Sequence, residues 1–219
     1  MRYKYLLFDL DGTVSESAEG VRLSLESAIN SLGVPAPDLD DYTLYIGPPL
    51  LDTFRELCGL DEEQSRRGAL LYRDVYNEKG KYKNRAYDGM KRLLEDLREQ
   101  GARTAICTSK FEPFAREIIE IIGLEGCFDA VCGSTLDGSR KDKKDLIPYA
   151  ISALGGDLER DRERAVMLGD SFYDARGARL CGVDFIGVEY GYGAAEGMIA
   201  EGALHLAKTV GDPRELLLG

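Results

Sequence analysis

Histidine is almost missing from this 219-residue chain, which holds only His205. A Ser-His-Asp triad or a Cys-His pair needs an imidazole beside the nucleophile. The one available lies far along the chain and reads as a surface or packing residue. The five cysteines, Cys58, Cys107, Cys127, Cys132 and Cys181, form no Cys-x-x-Cys pair. That argues against a zinc site or a disulfide framework, and Cys107 and Cys132 sit in apolar runs as small core residues. No apolar run approaches the roughly 20 residues of a membrane span, and the N-terminus enters a strand at once, without a signal peptide pattern. The expectation is a cytoplasmic protein, monomer or homodimer. Basic residues are also short, 28 against 39 acidic ones, for a net charge of −11. No nucleic acid polymer and no membrane surface is expected as a bulk partner. An anionic substrate would need local positive charge or a metal. No internal repeat or low-complexity linker is present.

What is present is a regular alternation of elements. Residues 3–9 read as a buried strand. Val21, Leu25, Ala28, Ile29 and Leu32 recur at helical spacing, with Gly33 as the stop. Asp38 to Asp41 can cap a short helix running up to Gly47-Pro48-Pro49. Leu50 to Cys58 and Glu62 to Tyr76 are further helices, so residues 16–80 show no convincing strand. From residue 89 onward helices and strands alternate: helix 89–100, strand 103–108, helix 112–122, strand 130–132, helix 143–154 and strand 165–168. Helix 172–181, strand 184–188, a short helix near 194–201 and a strand near 205–207 complete the series. This pattern predicts an α/β fold: a Rossmann-like parallel sheet with helices on both faces and an inserted small α-helical cap. The expected division is a core of residues 1–15 and 83–219 with a cap of 16–82. In open parallel sheets ligands bind at the carboxyl ends of the strands.

Those ends carry the chemistry. The first strand closes in Asp9-Leu10-Asp11-Gly12-Thr13. Alternation puts side chains i and i+2 on one side, where two carboxylates repel unless a cation or a proton intervenes. Gly12 lets the backbone turn and offer N–H groups with Thr13. Strand 103–108 ends in Thr108-Ser109, whose hydroxyls suit phosphate oxygens or serve as plain N-caps. Strand 165–168 ends in Gly169-Asp170, and Asp174 follows one helical turn later. Between them lies Arg140-Lys141-Asp142-Lys143-Lys144, either a solvated loop or the source of one lysine near the acids.

This ordered set resembles the haloacid dehalogenase superfamily of phosphohydrolases over essentially the whole chain. Asp9-Leu10-Asp11-Gly12-Thr13 matches the first motif, Thr108-Ser109 the second, a lysine near 143 the third, and Gly169-Asp170 through Asp174 the fourth. The helical insert, Ile46-Gly47-Pro48-Pro49-Leu50 and Tyr87-Asp88-Gly89-Met90 are similar to the phosphoglycolate phosphatase branch. The run Gly133 to Arg140 is similar to its 5′-nucleotidase-like subgroup. The branch often has proline after the third-motif lysine. None stands here, so Lys141, Lys143 and Lys144 compete, and Lys143 is favoured because its spacing to Leu146, Ile147 and Ala150 resembles the subgroup's helix start.

The resemblance implies a Mg²⁺-dependent phosphatase acting on a small phosphate monoester, a nucleoside 5′-monophosphate or phosphoglycolate. It implies Asp9 as nucleophile, Asp11 as acid and base, and Lys143, Thr108, Ser109, Gly12 and Thr13 around the phosphate. Asp9, Asp11 (by its backbone carbonyl) and Asp170 would hold Mg²⁺, with Asp174 orienting. Asp11 sets the chain apart from the superfamily's dehalogenases, which lack it. A sugar phosphomutase shares the motifs, and a non-catalytic binding protein on the same fold is the reading from another class. Cap residues Tyr42, Tyr45, Tyr72 and Tyr76 either stack on a base or pack the small bundle.

Overall fold

A computed structural model describes residues 2–218. Strand β1 (Tyr5–Phe8) is fully buried. It is followed by β2 (Ser15–Glu16), α1 (Ala18–Leu32), α2 (Leu50–Cys58), α3 (Glu62–Glu78), β3 (Arg85–Ala86), α4 (Met90–Glu99), β4 (Arg103–Phe111) and α5 (Glu112–Ile121). The second half runs β5 (Ala130–Ser134), α6 (Lys143–Ala153), α7 (Leu158–Asp161), β6 (Ala165–Gly169), α8 (Phe172–Cys181), β7 (Asp184–Val188), α9 (Ala195–Ala200), β8 (His205–Ala207) and α10 (Pro213–Leu218).

Six strands form one sheet in the order β5-β4-β1-β6-β7-β8, every pairing parallel. Alternation along β1 divides the core. Leu6 and Phe8 pack on one face with Leu94 and Leu97 of α4 and Ile118 of α5. Tyr5 and Leu7 pack on the other with Leu146 and Ile147 of α6 and Ala175 and Ala178 of α8. Continuing the same alternation, Asp9 leaves the strand toward the α6/α8 face. β1 is central and its two neighbours, β4 and β6, come from chain segments running outward on opposite sides. That is the topological switch point at which parallel sheets open a crevice.

The α/β expectation holds for the sheet and the longer helices; the short helices α7 and α10 lie outside it, and two corrections apply. First, residues 15–16 pair antiparallel with residues 85–86, Ser15 with Ala86 and Glu16 with Arg85. Two residues are too few to show alternation, so this tie between the ends of the helical insert left no periodic signal. Second, the segment after Asp38 forms no α-helix. A single 3₁₀ turn, Tyr42–Leu44, stands there, with the Asp41 carboxylate accepting from Thr43 N–H at 3.0 Å. Within the insert α1 packs on α3 and α2 on α3, burying Leu25, Ile29, Phe54, Ala69 and Tyr76. Gly33 and Gly59 end α1 and α2 in left-handed conformation.

Candidate active site

The carboxyl edge of the sheet gathers four carboxylates and two lysines. Asp9 follows β1, and its N–H donates to Leu168 O of β6 at 2.9 Å, which fixes where its side chain departs. Lys143, the first residue of α6, reaches in from the face below. Its Nζ lies 2.7 Å from Asp9 Oδ1 and 2.5 Å from Asp174 Oδ1, and donates to Cys107 O of β4 at 2.7 Å. Asp174 sits in the first turn of α8. Its Oδ2 accepts from Ser171 Oγ (2.6 Å) and Ser171 N (3.1 Å), while Ser171 Oγ accepts from Asp174 N–H, a reciprocal N-terminal cap. Both oxygens of Asp174 are thereby engaged. Gly177 makes room for this: a Cβ there would fall 2.3 Å from Lys143 Cβ. Asp170 directly follows β6, and its Oδ2 accepts from Tyr192 N–H at 2.7 Å.

One carboxylate oxygen from each of Asp9, Asp170 and Asp174 falls within 4.8 Å of the others, and all three residues are buried. Such a set is costly without positive charge. Burial, with Asp174 and Asp9 adding to it, holds the Asp170 carboxyl well above the usual carboxylate range. Burial likewise pushes Asp9 up, against the pull of Lys143. For Lys143 burial works against the charge, and Asp174 and Asp9 more than offset it, so the ammonium is held well above its ordinary value. Hard oxygen donors with uncommitted lone pairs on Asp9 and Asp170, crowded by like charge, fit a small divalent cation such as Mg²⁺.

Asp11 turns away from this cluster. Its Oδ2 pairs with Lys110 Nζ at 2.9 Å, and its Oδ1 is buried with no hydrogen-bond partner. Lys110 stands near the end of β4, its Nζ 4.4 Å from the centre of the Tyr76 ring of α3. Burial opposes its charge, but Asp11 and the tyrosines Tyr76 and Tyr72 hold the ammonium well above its ordinary range.

Asp9 and Asp11 open into a cleft between the sheet edge and the helical insert, about 1040 Å³ with its open mouth. Thr108 and Ser109 line it, as do Tyr45, Tyr72 and Tyr76. Gly47-Pro48-Pro49 also lines it, and a Cβ on Gly47 would lie 3.2 Å from Ser171 Cβ. This turn therefore reaches the candidate site. Of the two roles expected for the tyrosines the structure shows packing: Tyr72 and Tyr76 are buried and stack face to face at 5.5 Å, and both also line the cleft. Tyr42 packs instead against the Tyr192 ring, 5.7 Å away.

Gly12 and Thr13 depart from the expected phosphate cradle. Gly12 N–H donates to Ser15 O (2.9 Å) and Thr13 N–H to Leu10 O (3.3 Å), so the turn consumes both donors. The Thr13 hydroxyl is buried without a partner. The work of Gly12 is close approach: its φ is +79° and a Cβ would stand 2.1 Å from Asp170 Oδ2. Among the competing lysines the structure separates the three. Lys143 is in the cluster, Lys144 is exposed, and Lys141 pairs with Asp52 of α2 at 3.4 Å. Sequence reasoning missed Lys110 and Arg73 of the cleft wall and Tyr192 beside Asp170; the partners of Lys110 and Tyr192 lie in remote chain segments.

The family model for haloacid dehalogenase-like hydrolases matches residues 6–188. A 5′-nucleotidase of Pseudomonas aeruginosa is 37% identical over 217 residues, 99% of this chain and 96% of its own length. The tyrosine-protein kinase PtkA of Mycobacterium tuberculosis is 40% identical over 191 residues, 87% of this chain and 64% of its own length. Among solved structures, that of a predicted phosphatase from Clostridium acetobutylicum superposes with a TM-score of 0.92 at 36% identity, over 100% of this chain and 99% of that one.

Proposed function

The chain belongs to the haloacid dehalogenase-like hydrolase family, and from that premise we propose that it is a Mg²⁺-dependent phosphatase, a phosphoric monoester hydrolase working through an aspartyl-phosphate. The observation that carries this reading is the convergence of Asp9, Asp170 and Asp174, with Lys143 bound to Asp9 and Asp174, at the floor of the cleft that Asp9 lines. In the same reading residues 16–82 form the cap and residues 1–15 with 83–219 the core. The expected substrates are small phosphate monoesters such as a nucleoside 5′-monophosphate or phosphoglycolate.

Asp9 Oδ1 is held by Lys143, which leaves Oδ2 to attack phosphorus and expel the alkoxide. Lys143, anchored by Asp174 and Cys107 O, neutralises a phosphate oxygen without leaving its place. Thr108 and Ser109 donate hydroxyl protons to the other oxygens. Asp11 Oδ1, buried and unpartnered, meets the leaving-group oxygen and gives it a proton. Once the alcohol departs, the same carboxylate takes a proton from the water that hydrolyses the aspartyl-phosphate. Lys110 on Oδ2 holds the carboxylate in place and leaves Oδ1 for both proton transfers. The Asp9 and Asp170 carboxylates with the Asp11 carbonyl would hold Mg²⁺, whose charge offsets the negative charge gathered around phosphorus.

Phosphate release from a panel of nucleotides, sugar phosphates and phosphoglycolate, in Mg²⁺ and then in EDTA, tests the assignment. Turnover should require the metal and vanish in Asp9→Asn. Phosphate appearing on a second hydroxyl of a sugar, with none released, would show a mutase instead. Asp11→Asn should cut turnover of alkyl phosphates by ~10²–10⁴, the usual range for general acid-base catalysis. p-Nitrophenyl phosphate, whose leaving group needs little protonation, should lose far less. Equal losses on both would contradict the acid role.

A further inference from the structure

Four cations stand at or in the cleft, and three of them are spoken for. Lys143 is bound to Asp9 and Asp174, Lys110 to Asp11, and Lys141 to Asp52. The fourth, Arg73 of α3, lines the cleft but forms no ion pair with any carboxylate of the described residues. Its guanidinium lies 5.8 Å from the centre of the Phe111 ring, which offers a weak cation–π contact and no counter-charge. Arg73 is half-buried, and its pKa is lowered because burial has removed water that nothing replaces. On the same helix Tyr72 and Tyr76 line the same cleft, so Arg73 belongs to the wall facing Asp9 and Asp11 rather than to the outer face of the insert.

A partly desolvated guanidinium left without a carboxylate is unfavourable as it stands, and an incoming anion would relieve it. Such an anion is otherwise unwelcome. The floor holds four carboxylates against two ammonium groups, and the whole chain carries −11. A substrate with only a transferable phosphate is served by Lys143, Thr108 and Ser109 and gives Arg73 nothing to bind. We propose that Arg73 is a specificity-determining residue that binds a second anionic group, carboxylate or phosphate, on the leaving-group side of the substrate. This rests on the phosphatase reading and narrows it to phosphate monoesters with a distal negative charge.

The test compares matched pairs: carboxymethyl phosphate with ethyl phosphate, and a nucleoside 3′,5′-bisphosphate with its 5′-monophosphate. In the wild type, kcat/KM should favour the doubly anionic member of at least one pair by at least ~30-fold, the scale of a charge-assisted contact. The pair that shows it tells carboxylate from phosphate. In Arg73→Met, which keeps the stem against Phe111, that ratio should fall toward one, chiefly through KM. Arg73→Lys should restore part of it. A wild-type ratio near one in both pairs, or a ratio untouched by Arg73→Met, overturns the proposal. Calorimetry with 2-carboxyethylphosphonate and propylphosphonate separates this from failure of the phosphatase reading, because neither is cleaved. A tenfold or greater preference for the former that Arg73→Met abolishes supports the proposal even if no ester is hydrolysed. No preference in the wild type defeats it.

Discussion

Lys143 is the residue on which the buried charge balance turns. It lies between Asp9 and Asp174, with all three side chains almost fully shielded from water. Removing one member of a buried ion pair leaves an uncompensated charge and costs about 3–5 kcal/mol. Lys143→Met, measured by urea unfolding in EDTA at neutral pH, should lose stability of that order. The double variant Lys143→Met/Asp174→Asn should regain part of it, because one of the two stranded carboxylates is then neutral. If the single variant unfolds at the wild-type midpoint, the three groups do not interact as strongly as their distances imply. Asp9, Asp170 and Asp174 were readable as residues because each stands at a fixed offset from a strand end or a helix start. Choosing Lys143 over its neighbours rested on the resemblance of its spacing to Leu146, Ile147 and Ala150 to the subgroup's helix start, and in the structure that spacing puts it on the face of α6 buried with Leu146 and Ile147. Lys110 was not readable: its partner Asp11 lies 99 positions earlier, and nothing local in Thr108-Ser109-Lys110 marks the lysine as other than a strand-end cation.

At the scale of elements, the sheet strands and longer helices were legible because apolar spacing at periods of 3.6 and 2 survives in each, whereas the short helices α7 and α10 span too few turns to show it. The joint between insert and core was not. Its strands β2 and β3 have two residues each, and its remaining links come from side chains of distant loops. Tyr192 is the clearest of these. Its hydroxyl accepts from Ser17 N–H (2.7 Å) and Ala18 N–H (3.0 Å), the first free donors of α1. Its own N–H binds Asp170. The helix start is therefore capped by a tyrosine 174 positions away instead of by Ser17, whose hydroxyl is buried without a partner. Tyr192→Phe removes only the cap. It should cost about 1 kcal/mol, lowering the melting temperature by about 2–4 °C. Amide exchange at Ser17 and Ala18 should rise while that of α3 stays put. Unchanged exchange at both amides would mean that another group caps this helix.

Across the whole molecule the same acids that propose a metal also predict how it changes stability. Asp9 follows β1, while Asp170 and Asp174 stand where β6 passes into α8, with Asp170 placed 161 positions after Asp9; they converge within 4.8 Å, so the site exists only when β1 and β6 are paired in the sheet. A ligand of the folded state alone stabilises by RT ln(1 + [L]/Kd), about 2.7 kcal/mol at a hundred times Kd. For a chain of this size that is on the order of 5–10 °C in melting temperature. Mg²⁺ should therefore raise the wild-type melting temperature in a concentration-dependent way, without substrate present. Asp170→Asn should respond with the opposite pattern. Lacking metal it loses only a crowded charge that burial, Asp174 and Asp9 all disfavour, and so should melt at or above the wild-type temperature in EDTA. With Mg²⁺ it should gain little, and the order of the two proteins should reverse. If Asp170→Asn instead melts lower in EDTA and gains from Mg²⁺ as much as the wild type, Asp170 is a structural residue and the cation binds elsewhere.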